Sequence, residues 1–165
     1  MNMLPEEVQR KSGNEHLFYK VAKSQAYFEE KIRTSGGRTI GHGEFILDLD
    51  IIALQEAIYI PLSFASGKKA TGFVYQIEGT VEGIISTAKI SCRGEGITQV
   101  VLGTLLYVKI PTGKTASFHI IVDIKGGLGK EYKIVINRIN YKLNPSEARY
   151  KKFDAAISTK TLQFR

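Results

Sequence analysis

Residues 44–53 read EFILDLDIIA, and this stretch decides the fold class. Apolar and polar side chains alternate along it, with Asp48 and Asp50 on the polar side. Alternation with a period of two is typical of a half-buried β-strand. We therefore predict a strand whose apolar side faces a core and whose two aspartates face solvent. The core-facing residues would be Phe45, Leu47, Leu49 and Ile51.

The same alternation recurs along most of the chain, with Gly and Pro turns between the segments. Further strands are predicted at 72–78, 104–110, 115–124 and 131–143, with β-rich pieces at 81–91 and 97–102. Their inward-facing residues would be Phe73, Tyr75, Phe118, Ile120, Val122, Ile134 and Ile136. The run 57–64 contains Pro61, which has no N–H to donate, so this strand should lie at an edge or end there. In 131–143 the apolar positions change parity near Asn137 and Arg138, which indicates a β-bulge.

Residues 15–33 have a different pattern. Leu17, Val21, Phe28 and Ile32 are spaced by four, seven and four, which fits one face of a helix. We predict a short N-terminal helix here, although Tyr27 and Phe28 would also suit a strand. Residues 1–14 are predicted to be a flexible leader, and residues 15–165 a single β-sandwich domain.

Many short strands at intervals of roughly ten residues, without alternating helices, favour a mainly β, antiparallel sandwich. Over residues 44–164 the segments EFILDLDIIALQEAIYIP, GFVYQIEG, IPTGKTASFHIIVDI and KEYKIVINRINYKL follow one another. This order resembles immunoglobulin-like β-sandwich modules of secreted or surface bacterial proteins; a jelly-roll-like arrangement is the alternative. The resemblance implies a structural or adhesive role and transfers no functional residues.

Motifs for cofactors are absent from the sequence. The glycine-rich stretches 35–43, predicted to be a loop, and 125–130, predicted to be a hairpin turn, match neither GxGxxG nor the P-loop. The histidines His16, His42 and His119 are widely separated, and His119 stands about 13 Å from Asp123 along one strand. We expect no metal, nucleotide or other cofactor.

Cys92 is the only cysteine, which excludes an internal disulfide. The neighbouring Arg93 could lower the pKa of its thiol, but a structural role is favoured.

The positive charge is concentrated towards the C-terminus. Residues 142–165 carry six basic and two acidic side chains, a net charge of +4 out of +7. Within them NPSEARYKKF, residues 144–153, is predicted to open with one or two helical turns capped by Asn144. Cations interleaved with aromatic residues suit single-stranded nucleic acid, although a solvated tail is the commoner explanation. The candidate contact residues for nucleic acid or an acidic partner are Arg149, Tyr150, Lys151, Lys152 and Phe153.

These features favour a non-catalytic structural or interaction module, secreted or at the cell surface, with a cytoplasmic location as the alternative. The expected partner is a protein, by self-association or as a component of the cell envelope; a small molecule is not expected. One alternative function is nucleic-acid binding through the basic tail. Another is a carbohydrate-binding sandwich, or an enzyme whose site is assembled from distant strands. No apolar run approaches the roughly 20 residues of a membrane-spanning helix.

Overall fold

The computed structural model describes residues 13–67, 70–79 and 84–165. The predicted leader, residues 1–14, lies outside these ranges except for Gly13 and Asn14. The described chain is mainly β and contains no helix. Its twelve strands are β1 Leu17–Arg33, β2 Thr39–Ala53, β3 Ile58–Pro61, β4 Phe64–Ala65, β5 Phe73–Gly79, β6 Ile85–Arg93, β7 Thr98–Leu102, β8 Leu105–Ile110, β9 Thr115–Gly126, β10 Glu131–Tyr141, β11 Lys151–Ser158 and β12 Leu162–Gln163.

The strands form three sheets. One has four strands in the order β1-β2-β9-β6, another has the order β11-β10-β5-β4 with β12 also on β10, and a small one has the order β3-β8-β7. Neighbouring strands pair antiparallel, and only β4 and β5 pair parallel among the described strands. Since the inner faces of the two larger sheets share one core, the arrangement is consistent with a β-sandwich.

The core lies where the predicted apolar faces meet. Phe73 of β5 and Phe118 of β9 are both buried, and their ring centroids lie 4.9 Å apart. All eleven residues predicted to face inward, from four of the predicted strands, are buried, which confirms the alternation argument. The predicted change of parity in β10 is confirmed as well, because its pairing with β5 and with β11 shifts between Ile136 and Arg138. β3 ends at Pro61 and is an edge strand of the small sheet, also as expected.

The predicted N-terminal helix is wrong, because β1 occupies this region and pairs antiparallel with β2 along its length. The register shifts between Val21 and Lys23, and again between Phe28 and Glu30. Each bulge adds one residue to a strand that otherwise alternates. The positions opposite the inward residues of β2 therefore pass from Val21 to Phe28 in steps of three, two and two residues, although the Val21 side chain itself is 40% exposed. The first bulge thus gives a strand the seven-residue spacing that suggests a helix.

The predicted loop at residues 35–43 is partly wrong, since β2 begins at Thr39. Gly41 and Gly43 lie inside this strand, where a Cβ would come within 2.7 Å and 2.6 Å of atoms of the Phe164 ring. Phe164 is fully buried and packs edge-on against Phe28 of β1, with centroids 5.7 Å apart. The glycines are present because an aromatic ring lies directly against the strand.

Two predicted connections have different structures. Residues 125–130 are not a hairpin turn, because β9 and β10 belong to different sheets and the segment crosses between them. Residues 144–153 contain no helix: the chain makes one turn and enters β11 at Lys151. The reason is that Phe153 and Ile157 are both buried, at the even spacing that a strand requires.

Within the described ranges there is no helix long and apolar enough to cross a membrane.

Candidate basic aromatic surface

The five residues proposed from the sequence as contacts separate into two groups. Arg149, Tyr150 and Lys152 line one open depression of about 300 Å³ beside β10 and β11. Lys151 is exposed but does not line it. Phe153 is 6% exposed and packs against the ring of Tyr19, so its assignment as a contact residue is wrong.

A tight turn places Arg149 and Tyr150. The N–H of Glu147 donates to the carbonyl of Asn144, and the N–H of Asn144 donates to Glu147 Oε1 at 3.1 Å. The N–H of Ser146 donates in turn to Asn144 Oδ1. These are the reciprocal bonds of a capping box, made here without a helix behind it. The turn directs the chain back along β10.

The pairing of β11 with β10 then completes the depression. Lys152 lies opposite Asn140, and Asp154 lies opposite Arg138. Because residues two apart on a strand share a face, the side chains of Arg138 and Lys152 come from neighbouring strands to one surface. Both line the depression, together with Arg149 and Tyr150. Arg138 was not among the residues proposed from the sequence, because its place depends on the bulge and on this pairing.

The charge in the depression is only slightly compensated. Arg138 Nε lies 3.5 Å from Asp154 Oδ1, and the Asp154 side chain is 86% exposed, which makes a weak, solvent-screened pair. Neither Arg149 nor Lys152 forms an ion pair with another residue in the described part of the chain. Three cations therefore share one carboxylate, so the depression attracts anions.

Asn140 lies at the wall of the depression and is 5% exposed. Its Nδ2 donates to the carbonyl of Ala70 at 3.2 Å, whereas its Oδ1 has no hydrogen-bond partner among the described residues. An unpaired buried acceptor costs about 1–3 kcal/mol. Burying the Asn140 side chain at the wall of the depression therefore lowers the stability of the fold.

Tyrosines and lysines extend the charged region beyond the depression. Lys142 Nζ lies 4.7 Å from the centre of the Tyr150 ring and 5.8 Å from that of Tyr107. The backbones of Lys142 and Tyr59 exchange two hydrogen bonds of 2.8 Å, and Lys109 Nζ lies 5.8 Å from the Tyr59 ring centre. Together these residues form what we call the basic aromatic surface: Tyr59, Lys109, Arg138, Lys142, Arg149, Tyr150 and Lys152.

The hydroxyls of Tyr107 and Tyr150 lie 2.7 Å apart and form a hydrogen bond. Burial raises the pKa of Tyr150, and the hydrogen bond and proximity to Tyr107 raise it further. The phenol therefore stays neutral at physiological pH and adds no negative charge to the basic aromatic surface. Tyr107 is itself buried, so it supports Tyr150 from below.

A second polar region lies on the outer face of the four-stranded sheet. His119 of β9 forms a hydrogen bond through Nδ1 with Asp48 of β2, and Ser117 Oγ donates to Asp50 at 2.8 Å. These residues line an open depression of about 610 Å³. In the sequence the nearest carboxylate to His119 on its own strand is Asp123, whereas the sheet pairs His119 with Asp48 directly across. Asp123 is bonded instead to His42 Nε2, at 3.1 Å.

The lining of this depression also includes Cys92, which packs against the core rather than on the outer face. Burial raises the pKa of Cys92 to about 12, so its thiol stays protonated and Arg93 does not activate it. In the described part of the chain, no three His, Cys, Asp or Glu side chains converge as a metal site would require. The hydrogen-bonded side chains of His119 and Asp48 lie on an open sheet, where both are accessible to solvent.

No protein-family model matches this chain, and no curated protein or solved structure shows significant similarity to it. Only the chemistry of its own side chains therefore bears on its function.

Proposed function

We propose that this chain is a non-catalytic interaction module that binds an acidic partner through the basic aromatic surface. One observation carries the proposal: Arg138, Arg149 and Lys152 converge on a single depression with only one weakly paired carboxylate among them. Convergent cations without counter-charges favour binding of an anionic group over folding stability, since like charges repel one another. The secreted or cell-surface location stays a prediction of the sequence.

The side chains suit recognition as well as attraction. Arg138 and Arg149 carry planar guanidinium groups, which bind phosphate or carboxylate oxygens through two parallel hydrogen bonds. Tyr150 lies at the same depression and is neutral, so it offers an aromatic surface between the cations. Both features belong to a surface that holds an anionic group in a defined orientation.

A comparison of two double variants of the full chain tests the proposal. Arg149→Ala/Lys152→Ala removes two cations from the depression, and Lys151→Ala/Lys160→Ala removes two exposed cations of the same tail outside it. The change in net charge is the same in both. Fluorescence anisotropy with an acidic peptide, a single-stranded oligonucleotide and a sulfated oligosaccharide measures affinity at about 50 mM salt.

We expect the natural chain to bind at least one of these probes. The depression variant should bind it about tenfold or more weakly, because charged contacts are worth about 1.5–3 kcal/mol each. The Lys151/Lys160 variant should lose about twofold or less. Equal losses in the two variants would show that only the overall charge matters. No binding to any of the three probes would contradict the proposal itself.

A further inference from the structure

We infer that the acidic partner bound by the basic aromatic surface is a single-stranded nucleic acid. The inference rests on the proposed function and names the class of its partner. It comes from the cations and aromatic rings that lie side by side over four strands, β11, β10, β3 and β8, since charge alone would not require the rings.

The cations are arranged in a row. Arg138, Asn140 and Lys142 are two residues apart, so they lie on the same face of β10 and its extension, over about 13 Å. Lys152 lies opposite Asn140, which places a further cation beside the middle of the row. A row of this kind follows an extended, regularly charged backbone.

The row continues across the neighbouring strands. Tyr59 is bridged to Lys142, and Lys109 lies opposite Tyr59. Because paired strands are about 4.8 Å apart, these two steps extend the row by about 10 Å. Two tyrosine rings lie along this path, that of Tyr150 beside Lys142 and that of Tyr59 beside Lys109.

Cations with aromatic rings beside them match the two parts of a single-stranded nucleic acid. Phosphates bind Lys and Arg, and unpaired bases stack on aromatic side chains without regard to sequence. A phosphate that binds Lys142 draws its ammonium group away from the Tyr150 ring and leaves the ring face for a base. An acidic protein has carboxylates but no regular series of flat rings, so it would use the lysines and arginines and leave the tyrosines without a role.

The shape of the surface favours a single strand over a duplex. The depression of about 300 Å³ lies at the lower limit of typical ligand sites and accepts a group of about the size of one nucleotide. In a duplex the faces of the bases are stacked on one another and only the base edges are exposed in the grooves, so no base face can stack on Tyr150. An unpaired base can enter beside the ring.

The experiment compares labelled probes of equal length with the full chain. The probes are an oligothymidylate of about eight nucleotides, a DNA duplex of the same length and a glutamate peptide. Each is titrated at two salt concentrations by fluorescence anisotropy. Tyr150→Leu removes the aromatic ring, Tyr150→Phe keeps it, and thermal unfolding monitored by circular dichroism checks that each variant folds. Tyr59→Leu replaces Tyr150→Leu if the latter does not fold.

We expect the single strand to bind more tightly than the duplex and the peptide. Tyr150→Leu should lower the ratio of single-strand to peptide affinity about tenfold, as the loss of one stacked base does, and Tyr150→Phe should lower it less than about threefold. Arg149→Ala/Lys152→Ala should reduce the slope of log affinity against log salt by about 1.4, since each phosphate contact contributes about 0.7.

Two results would overturn the inference and leave the proposed function intact. One is a peptide or duplex affinity equal to or above that of the single strand; the other is a Tyr150→Leu variant with an unchanged ratio of affinities. If none of the probes binds, or if the depression variant binds like the natural chain, the proposed function fails as well.

Discussion

Glu44 of β2 lies directly opposite Asp123 of β9, so two carboxyl groups share one position on the outer face of the four-stranded sheet. Burial raises the pKa of Glu44, and the nearby charges of Asp123 and Glu29 raise it further, while His42 lowers it. Because the folded pKa lies above the ordinary value of 4.5, folding favours the protonated group. Its contribution to stability is complete below about pH 4.5 and is lost as the pH rises through the raised pKa.

We predict that Glu44→Gln stabilises the protein at pH 7 by about 0.5 kcal/mol, because it removes a like-charge pair across two strands. At about pH 4 the gain should vanish, since Glu44 is then largely protonated. Urea unfolding at both pH values measures the difference. Glu131→Gln is the matched control, since Glu131 is exposed and lies opposite the uncharged Gln163. A gain of the same size at both pH values would contradict this account.

The outer face also shows how far single residues could be predicted. The alternation in residues 44–53 and 115–124 correctly placed Asp48 and His119 away from the core. It could not pair them, because their contact depends on which residue of β2 lies opposite which residue of β9. Arg138 and Lys152 of the basic aromatic surface could not be paired from the sequence either. They lie 14 positions apart in the chain, and the pairing of β10 with β11 brings them together.

At the scale of elements, β1 is the segment in which the periodicity of the sequence was misleading. Ala22 is the extra residue of the first bulge, since Val21 pairs with Leu49 and Lys23 with Asp48. A bulge residue has no partner across the ladder, so removing it leaves an uninterrupted alternation on both sides. Ala26, in contrast, pairs with Phe45 and faces the core side of the sheet.

Two single-residue deletions in β1 therefore have different expected effects. Deletion of Ala22 should change the free energy of unfolding by less than about 1 kcal/mol, because the register on both sides is kept. Deletion of Ala26 should cost about 2 kcal/mol or more, since the slip by one residue turns Phe28 out of the core. Urea unfolding of both variants tests this. A larger loss for the Ala22 deletion would show that the bulge itself is needed.

At the scale of the whole molecule, the C-terminus completes the core. The sequence suggested a solvated basic tail, yet Phe153, Ile157 and Phe164 are all buried. Three cations of the tail, Lys142, Arg149 and Lys152, form part of the basic aromatic surface. Gly41 and Gly43, two residues apart in β2, were a sequence signal of close approach on one face. The ring that they accommodate lies more than a hundred residues away, which local patterns cannot reveal.

Phe164 is thus expected to hold β1 and β10 together. Its ring lies against Phe28 of β1 and against Tyr132 of β10, with centroids 5.7 Å and 4.7 Å away. Its backbone N–H donates to the carbonyl of Lys130, and its carbonyl accepts from the N–H of Gly129. The side chain joins strands of the two larger sheets, while the backbone fastens the crossing between β9 and β10.

We predict that Phe164→Ala lowers the free energy of unfolding by about 3–5 kcal/mol, because the space over two glycines cannot be refilled from the chain. Phe164→Leu should lose less, since it keeps most of the buried apolar volume. Gln163→Ala, at the exposed residue of β12 that precedes Phe164, should change the free energy of unfolding by less than about 0.5 kcal/mol. Urea unfolding monitored by circular dichroism measures all three. A loss below about 0.5 kcal/mol for Phe164→Ala would mean that the packing of the C-terminal segment against the core does not stabilise the protein. The basic tail would then be the solvated extension that its charge pattern suggests.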